Sequence, residues 1–335
     1  MRNTNAQIAD KLSDDLFKYI DDELSDKDID HIKSIVGDDS GHSQKHSNDL
    51  SDVDILNRML VEQKNINGKF TSKKHQWEAI RTILDWQAKN IIDNLDGLNN
   101  NQNIVYSIEN IGSFDDKPLG EGFILVDGFY HKFESENASV ILKKDTSCPY
   151  GFHLQTAFPG GNGDAEQQKS KLKILQDDCS SIMMQTDYYK NASPTEQAYL
   201  KYIANPKNKI QARYSLPASK NNYEETITLY KNNKDGTSYR AYITPSEIKV
   251  SKFDTNKKPM NFPMAQTRAH RNRLDLLSES SQIEFAKIEP EFTKTIKSIS
   301  QNIQNNDSPN NTKLKSNRQL PDIVDTQSTI DYVYE

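Results

Sequence analysis

Residues 121–159, EGFILVDGFYHKFESENASVILKKDTSCPYGFHLQTAFP, decide the fold class of this chain. Four short runs, FILV, FYHKF, SVILKK and GFHLQTAF, are separated by Asp127-Gly128, by Ser135-Glu136-Asn137 and by the turn residues 145–151. β-branched and aromatic runs punctuated by Gly, Asp, Asn and Ser predict strands joined by tight turns. A small antiparallel meander of four strands is therefore expected. Successive strand side chains point to opposite faces. In FYHKF, Phe129, His131 and Phe133 share one face, and Tyr130 and Lys132 the other. In GFHLQTAF, Phe152, Leu154, Thr156 and Phe158 oppose His153, Gln155 and Ala157. Unbroken alternation sends His153 and Thr156 to opposite faces, and a bulge or the strand's end is needed to unite them.

Upstream the pattern is helical. Ile8, Leu12, Leu16, Ile20 and Leu24 recur every fourth residue, which predicts an amphipathic helix with an acidic outer face. Ser25 caps a second short helix closed by Gly37, and a third is expected over 52–63. Ser72 caps a helix over 73–95, whose Trp77, Ile80, Ile83, Leu84, Trp86, Ile91 and Leu95 lie nearly all round it, as in a buried helix. His75 sits in its first turn, where the positive end of the helix dipole disfavours protonation. The sequence IVYSI, 104–108, reads as a first strand.

Downstream, 165–176 reads as a helix, and Ser193-Pro194-Thr195-Glu196 is a capping box with proline at the first helical position. EETITLYK and TSYRAYIT alternate around residues 232–236 as a hairpin, with SEIKVSKF as a third strand. Residues 268–303 read as helical, with Pro290 breaking or kinking the run. NNDSPNNTKLKSN is low-complexity and predicts disorder from 305 onward. The expected fold class is α+β: N-terminal helices packed on a four-stranded antiparallel sheet, a second small α+β unit and a disordered tail. The expected divisions are 1–65, an acidic helical region; 70–160, the core; 161–304, the second unit; and 305–335, the tail.

Composition narrows the function classes. The chain has 335 residues, 34% hydrophobic and 27% charged, with a net charge of −6. Mean hydropathy is −0.83 and the sequence pI is near 5.7, so overall charge makes no case for nucleic-acid binding. The charge is unevenly spread. Residues 1–60 carry 14 Asp/Glu against 7 Lys/Arg, whereas 240–273 hold 8 Lys/Arg against Glu247 and Asp254. An acidic head on a locally basic body suggests intramolecular neutralisation; a solvated helical surface is the plainer alternative. The two cysteines, Cys148 and Cys179, form no disulfide framework and have no recognised metal-ligand spacing, and they fit a reducing compartment. No apolar leader or membrane-length run is present, so neither a Sec signal nor a membrane span is expected.

Phosphate-binding and dinucleotide glycine loops, HExxH, CxxC and GxSxG are all absent. What remains for chemistry is a crowd of His131, Lys132, Lys143, Lys144, His153 and Thr156 with His75 upstream. Two imidazoles and a lysine on neighbouring strands are the minimum for metal-independent RNA cleavage. One imidazole takes the 2′-hydroxyl proton, the other protonates the leaving 5′-oxygen, and the ammonium meets charge on the phosphorane. A soluble strand edge is the plain alternative for Lys143 and Lys144. Cys148 and His153 as a nucleophile pair would rest on a turn thiol without visible activation.

The order of these motifs — an early helical histidine, DGFYHKF, SVILKKD, then GFHLQTAFP — resembles the barnase–EndoU–colicin–RelE group of toxin ribonucleases over about 75–159. Thr156-Ala157-Phe158-Pro159 is similar to the Thr-aromatic-Pro phrase that closes their last core strand. The resemblance implies helices followed by a four-stranded antiparallel sheet and metal-independent RNA cleavage without a cofactor. It further implies His75 or His131 as base or acid, Lys132 on phosphate, and His153 and Thr156 near the scissile bond. Residues 121–159 carry three Lys against five Asp/Glu, so further phosphate contacts are expected from Arg268, Arg271 and Arg273, with Tyr239, Tyr242 and Phe253 interleaved. RNA and an immunity or host protein are the expected partners. The expected setting is the cytoplasm; a polar, Asn/Lys-rich chain without a Sec signal is equally compatible with delivery into a target cell by a Sec-independent secretion system and with an ordinary cytoplasmic protein. The alternative is a non-catalytic interaction protein. Convergence of His131 and His153 with a lysine in one cleft discriminates the two.

Overall fold

The computed structural model describes residues 4–18, 24–37, 46–111, 117–161, 163–216, 224–260 and 289–306. Among them, the first three helices begin where short polar side chains replace the missing intrahelical acceptors. Thr4 caps α1 (Asn5–Phe17), Ser25 caps α2 (Asp26–Val36) and Ser51 caps α3 (Asp52–Val61), each in a reciprocal capping box. Gly37 ends α2 at φ +59°, in the left-handed conformation that glycine adopts without a Cβ clash. Strand β1 (Ile66–Phe70) follows, a strand the alternation pattern does not reveal.

The helix expected over 73–95 is two helices. α4 (Lys73–Trp86) and α5 (Ala88–Asp96) are divided at Gln87, where φ −105° and ψ 6° leave the helical basin. The break accounts for the apolar residues found all round the expected single helix. Trp86 is 64% exposed, while Ile80, Ile83 and Leu84 of α4 and Ile91, Ile92 and Leu95 of α5 each form a buried stripe.

Strands β2 (Asn103–Ile108), β3 (Gly120–Val126), β4 (Phe129–Ser135), β5 (Ala138–Lys144) and β6 (Phe152–Pro159) match the runs read from the sequence. Their pairing does not follow the expected meander. β3 and β4 join β1 and the two-residue β7 (Lys173–Ile174) in a four-stranded antiparallel sheet of order β1-β3-β4-β7. β5 and β6 join β2 in a separate sheet of order β2-β5-β6. The chain leaves one sheet for the other at Ser135-Glu136-Asn137. Ser135 and Asn137 are buried there, Ser135 Oγ donates to the Asn137 carbonyl at 3.0 Å, and Asn137 Nδ2 donates to the Lys171 carbonyl at 2.9 Å. Those bonds satisfy the polar atoms of a corner that would otherwise be costly to bury.

The rest is shorter. α6 (Ala165–Lys169) stops well before 176, because the chain turns to form β7. α7 (Ser180–Met183), α8 (Asp187–Asn191) and α9 (Pro194–Ile203) follow. As expected, Ser193 caps α9 with proline at its start. β8 (Gln211–Ser215), β9 (Thr226–Asn232), β10 (Ser238–Ile243), β11 (Ile248–Phe253) and β12 (Pro259–Met260) form a third antiparallel sheet, order β12-β11-β10-β9-β8. α10 (Pro290–Asn306) starts at Pro290 and is not kinked by it. The expected helical run lies outside the described residues over 268–288, and the expected tail lies outside them except for Asn305 and Asn306, which are the last residues of α10.

The chain is therefore α+β, with three antiparallel sheets among the described residues. α1, α2, α4 and α5 cover the face of the β2-β5-β6 sheet carrying Val140, Leu142, Leu154 and Ala157. α3 and α7–α9 close over Phe123 and Tyr130 of the first sheet. Phe292, Ile296, Ile299 and Ile303, one stripe of α10, seal the third. Each such buried side chain contributes about 1.5–3 kcal/mol. No described helix is long and apolar enough to cross a membrane.

Candidate active site on the β5–β6 ladder

The ladder between β5 and β6 slips by one residue. Leu142 pairs with Leu154 and Ile141 with Thr156, so Gln155 is an extra residue opposed by nothing. A bulge of this kind resets the alternation. Phe152, Leu154 and Ala157 are buried in the helix-covered core, which leaves His153 and Thr156 on the other face together. On β5 the matching face carries Ile141 and Lys143, and Lys143 pairs directly with His153. Side chains of directly opposed residues stand about 5 Å apart at their Cβ atoms, so an imidazole, an ammonium and a hydroxyl share one patch.

The turn before β6 supplies the histidine's partner. Asp145 closes the loop through its N–H to the Gly151 carbonyl, 2.9 Å, and Gly151 N–H returns to the Cys148 carbonyl at 3.0 Å. The Ser147 hydroxyl and N–H donate to Asp145 Oδ1 at 2.6 and 2.9 Å. Those bonds, the hydroxyl's first, hold the Asp145 carboxyl down at about 2. Its other oxygen, Oδ2, accepts from His153 Nδ1 at 3.3 Å. With the proton on Nδ1, His153 Nε2 is an acceptor, and among the described residues it is buried with no hydrogen-bond partner, as is Gln155 Oε1. Two orphaned acceptors beside one bulge are unusual, since buried polar atoms are nearly always paired. Cys148 stands at the same turn. Burial, and then the Asp145 charge, push its thiol up, so it is not a pre-formed thiolate. Gly37, at the end of α2, lies over the pair: a Cβ there would be 3.1 Å from Cys148 Sγ and 3.3 Å from His153 Cβ.

The other expected site residues lie as follows. His131 is in the other sheet, on β4, where its Nδ1 donates to the Leu175 carbonyl at 3.3 Å. Burial lowers its pKa against the pull of that bond and of Asp127. Lys132, on the opposite face of β4, is paired with Asp52 at 2.7 Å. Burial works against its charge, but the bond and charge of Asp52 outweigh it and hold the ammonium above its usual range. Lys69 joins the same network, 3.6 Å from Asp52 and 3.4 Å from Glu121. His75 is buried at the start of α4 with Nδ1 2.5 Å from Thr71 Oγ1, whose own proton goes to the Pro118 carbonyl at 2.6 Å. Lys144 donates to the Leu95 carbonyl at the end of α5. The Lys143 ammonium, in contrast, has no ion-pair or hydrogen-bond partner among the described residues, although its backbone pairs in the ladder. Arg268, Arg271 and Arg273 lie outside them. Of the aromatics near the basic stretch, Tyr239 is buried in the third sheet's core, while Phe253 stacks under Arg240 at 4.5 Å.

His153, Thr156 and Lys143 are thus brought together, and His131 and Lys132 are not among them. Asp145 is the member of the cluster that sequence reading passed over, and Cys148 was weighed only as a nucleophile beside His153. The available signal was the order Asp145, Cys148, His153 across one tight turn into a strand.

No family model matches the chain, and no curated protein matches it. Among solved structures, a chain of the CdiA-CT/CdiI complex from Y. kristensenii 33638 is similar over 35% of this chain and 96% of that chain, at 18% identity and a TM-score of 0.30. A likeness at that level carries no argument about fold or function.

Proposed function

We propose that the chain is an RNA-cleaving effector of toxin type, acting by metal-independent attack of a ribose 2′-hydroxyl on the adjacent phosphate, with His153 as general base. The observation that carries this reading is the bulge at Gln155, which sets His153, Thr156 and Lys143 on one face. Asp145 accepts the Nδ1 proton, fixing the tautomer in which Nε2 takes the hydroxyl proton. The Lys143 ammonium meets the charge that grows on the phosphorane oxygens. The Thr156 hydroxyl donates to one of those oxygens, and Gln155 Oε1 accepts from the sugar or base. The 5′-oxygen then leaves with a proton from the histidinium or solvent, and a 2′,3′-cyclic phosphate remains.

His131, Lys132 and His75 have no role in this proposal. Arg268, Arg271 and Arg273 belong to the proposal as phosphate contacts along the RNA, whereas Lys144, opposite Phe152 and bonded to the Leu95 carbonyl, does not. With it go a cytoplasmic site of action after Sec-independent delivery, which rests on the polar composition, and an immunity or host protein as partner, which rests on the motif resemblance.

A second reading, a non-catalytic interaction protein, is favoured by one observation: His131 and His153 occupy different sheets, so the expected pair of imidazoles does not face one substrate. An oligoribonucleotide carrying a single 2′-deoxy residue separates the two. Cleavage everywhere except 3′ of the deoxy position supports 2′-hydroxyl attack. No cleavage of the all-ribose strand supports the interaction protein.

A further inference from the structure

Asp145, Cys148 and His153 each offer one ligand atom, and these atoms all lie within 4.8 Å of one another. A carboxylate, a thiol and an imidazole do not ordinarily gather at one turn for packing reasons, and the three elements of this turn are separately fixed. The loop is closed at both ends by backbone bonds between Asp145, Cys148 and Gly151. Asp145 Oδ1 is held by Ser147, which leaves Oδ2 facing the imidazole. His153 is anchored in the ladder opposite Lys143. The wall facing the thiol is the backbone of Gly37, without a side chain to intrude.

We propose that this cluster is a binding site for one divalent cation of the zinc class, held by Asp145 Oδ2, Cys148 Sγ and His153 Nδ1 with water in the fourth position. Tetrahedral zinc with Zn–N and Zn–O bonds of about 2.1 Å sets those two ligand atoms about 3.4 Å apart. Asp145 Oδ2 and His153 Nδ1 are 3.3 Å apart already. A Zn–S bond of about 2.3 Å asks for the sulfur about 3.6 Å from its neighbours, so rotation of one short side chain by about 1 Å completes the set. On binding, a metal–sulfur bond forms, the S–H bond breaks and its proton goes to solvent; the His153 proton moves from Nδ1 to Nε2. Thiolate and imidazole select a zinc-like ion over calcium or magnesium, which take oxygen ligands. The metal site shares Asp145 and His153 with the RNA reading but is argued without it. Joined to it, the metal is an inhibitor, because a metal-bound imidazole with its proton on Nε2 is no longer a base.

Cobalt(II) is the direct probe, added to the full-length, chelator-stripped chain. The expected result is one cobalt per chain with an intense thiolate-to-cobalt absorption band and tetrahedral ligand-field bands, all lost on adding zinc. Cys148→Ser should abolish the thiolate band, and Cys179→Ser should keep it. Asp145→Asn, which retains the thiol, should bind more weakly, with far-ultraviolet circular dichroism confirming that each variant is folded. A folded wild type that shows no thiolate band, or a band that survives Cys148→Ser, overturns the site. Neither result depends on RNA cleavage, so a failed metal site leaves that reading untouched, and an inactive protein that binds cobalt leaves the metal site standing.

Discussion

His153 and Thr156 project from the same face of β6 although three positions separate them, because Gln155 has no partner on β5. A regular strand would have turned one of the two into the helix-covered core. The bulge therefore decides whether the imidazole and the hydroxyl can act on one substrate.

Thr156→Val removes the hydroxyl while keeping the branched shape that the strand packs. A hydrogen bond to a charged oxygen is worth about 1.5–3 kcal/mol, so kcat/KM for RNA should fall by about tenfold to a hundredfold. The urea midpoint should fall by no more than the loss of one neutral hydrogen bond, about 1 kcal/mol. A fall in stability without a fall in cleavage would assign Thr156 to the fold alone.

Gly122→Ala should destabilise the chain by about 3 kcal/mol, the upper end for overpacking. Gly122 of β3 opposes Gly68 of β1, and a Cβ on it would stand 2.2 Å from the Asn67 carbonyl oxygen and 2.5 Å from Gly68 Cα. Those are backbone atoms that cannot rotate away. Thermal denaturation of Gly122→Ala beside Gly128→Ala separates crowding from glycine's conformational freedom. Gly128 has nothing within 4 Å of its added Cβ, and only its φ of +83° resists substitution.

Ser147→Ala should make the chain less acid-sensitive. The Asp145 carboxyl is held at about 2 in the folded chain against 3.8 ordinarily. A depressed carboxyl contributes stability above its unfolded value that is lost as pH falls through the folded one. Without the Ser147 hydroxyl the folded value moves toward 3.8, so the variant is less stable at neutral pH. The two stability curves should then converge as pH falls from 3.8 to about 2. Parallel curves would mean that Ser147 does not set the carboxyl's charge.

His131→Gln should flatten the stability curve on the acid side of 6.5, the ordinary imidazole value. Burial lowers the folded value of His131 below it. The unfolded chain then binds the proton more readily, and the wild type loses stability as pH drops below 6.5. Glutamine carries no such proton. Urea midpoints measured across that window should fall for the wild type more steeply than for the variant.

Much of the fold could be read from residue order. The four runs of 121–159 are strands, Ser25 and Gly37 bracket α2, and Ser193-Pro194 opens α9. What could not be read was partnership. Alternation states that FYHKF and SVILKK are strands, but not that they hydrogen-bond to different neighbours; that is decided by the buried corner at Ser135 and Asn137 and by β1, whose INGKF carries too little β-branched character to announce itself. The site divides the same way. His153, Thr156 and Lys143 were visible as residue types. Asp145 was hidden because an aspartate in a turn reads as a turn former, and Lys132 looked available until Asp52, 80 residues earlier in the chain, was found against it.

His153 is proposed as the base of an RNA-cleaving site that His131 does not share. Full-length wild type, His153→Ala and His131→Gln should each be incubated with total RNA in excess chelator, and the fragment ends identified. Wild type and His131→Gln should leave 2′,3′-cyclic phosphate ends, and His153→Ala none. Intact RNA with the wild type, or equal cleavage by folded His153→Ala, would contradict it.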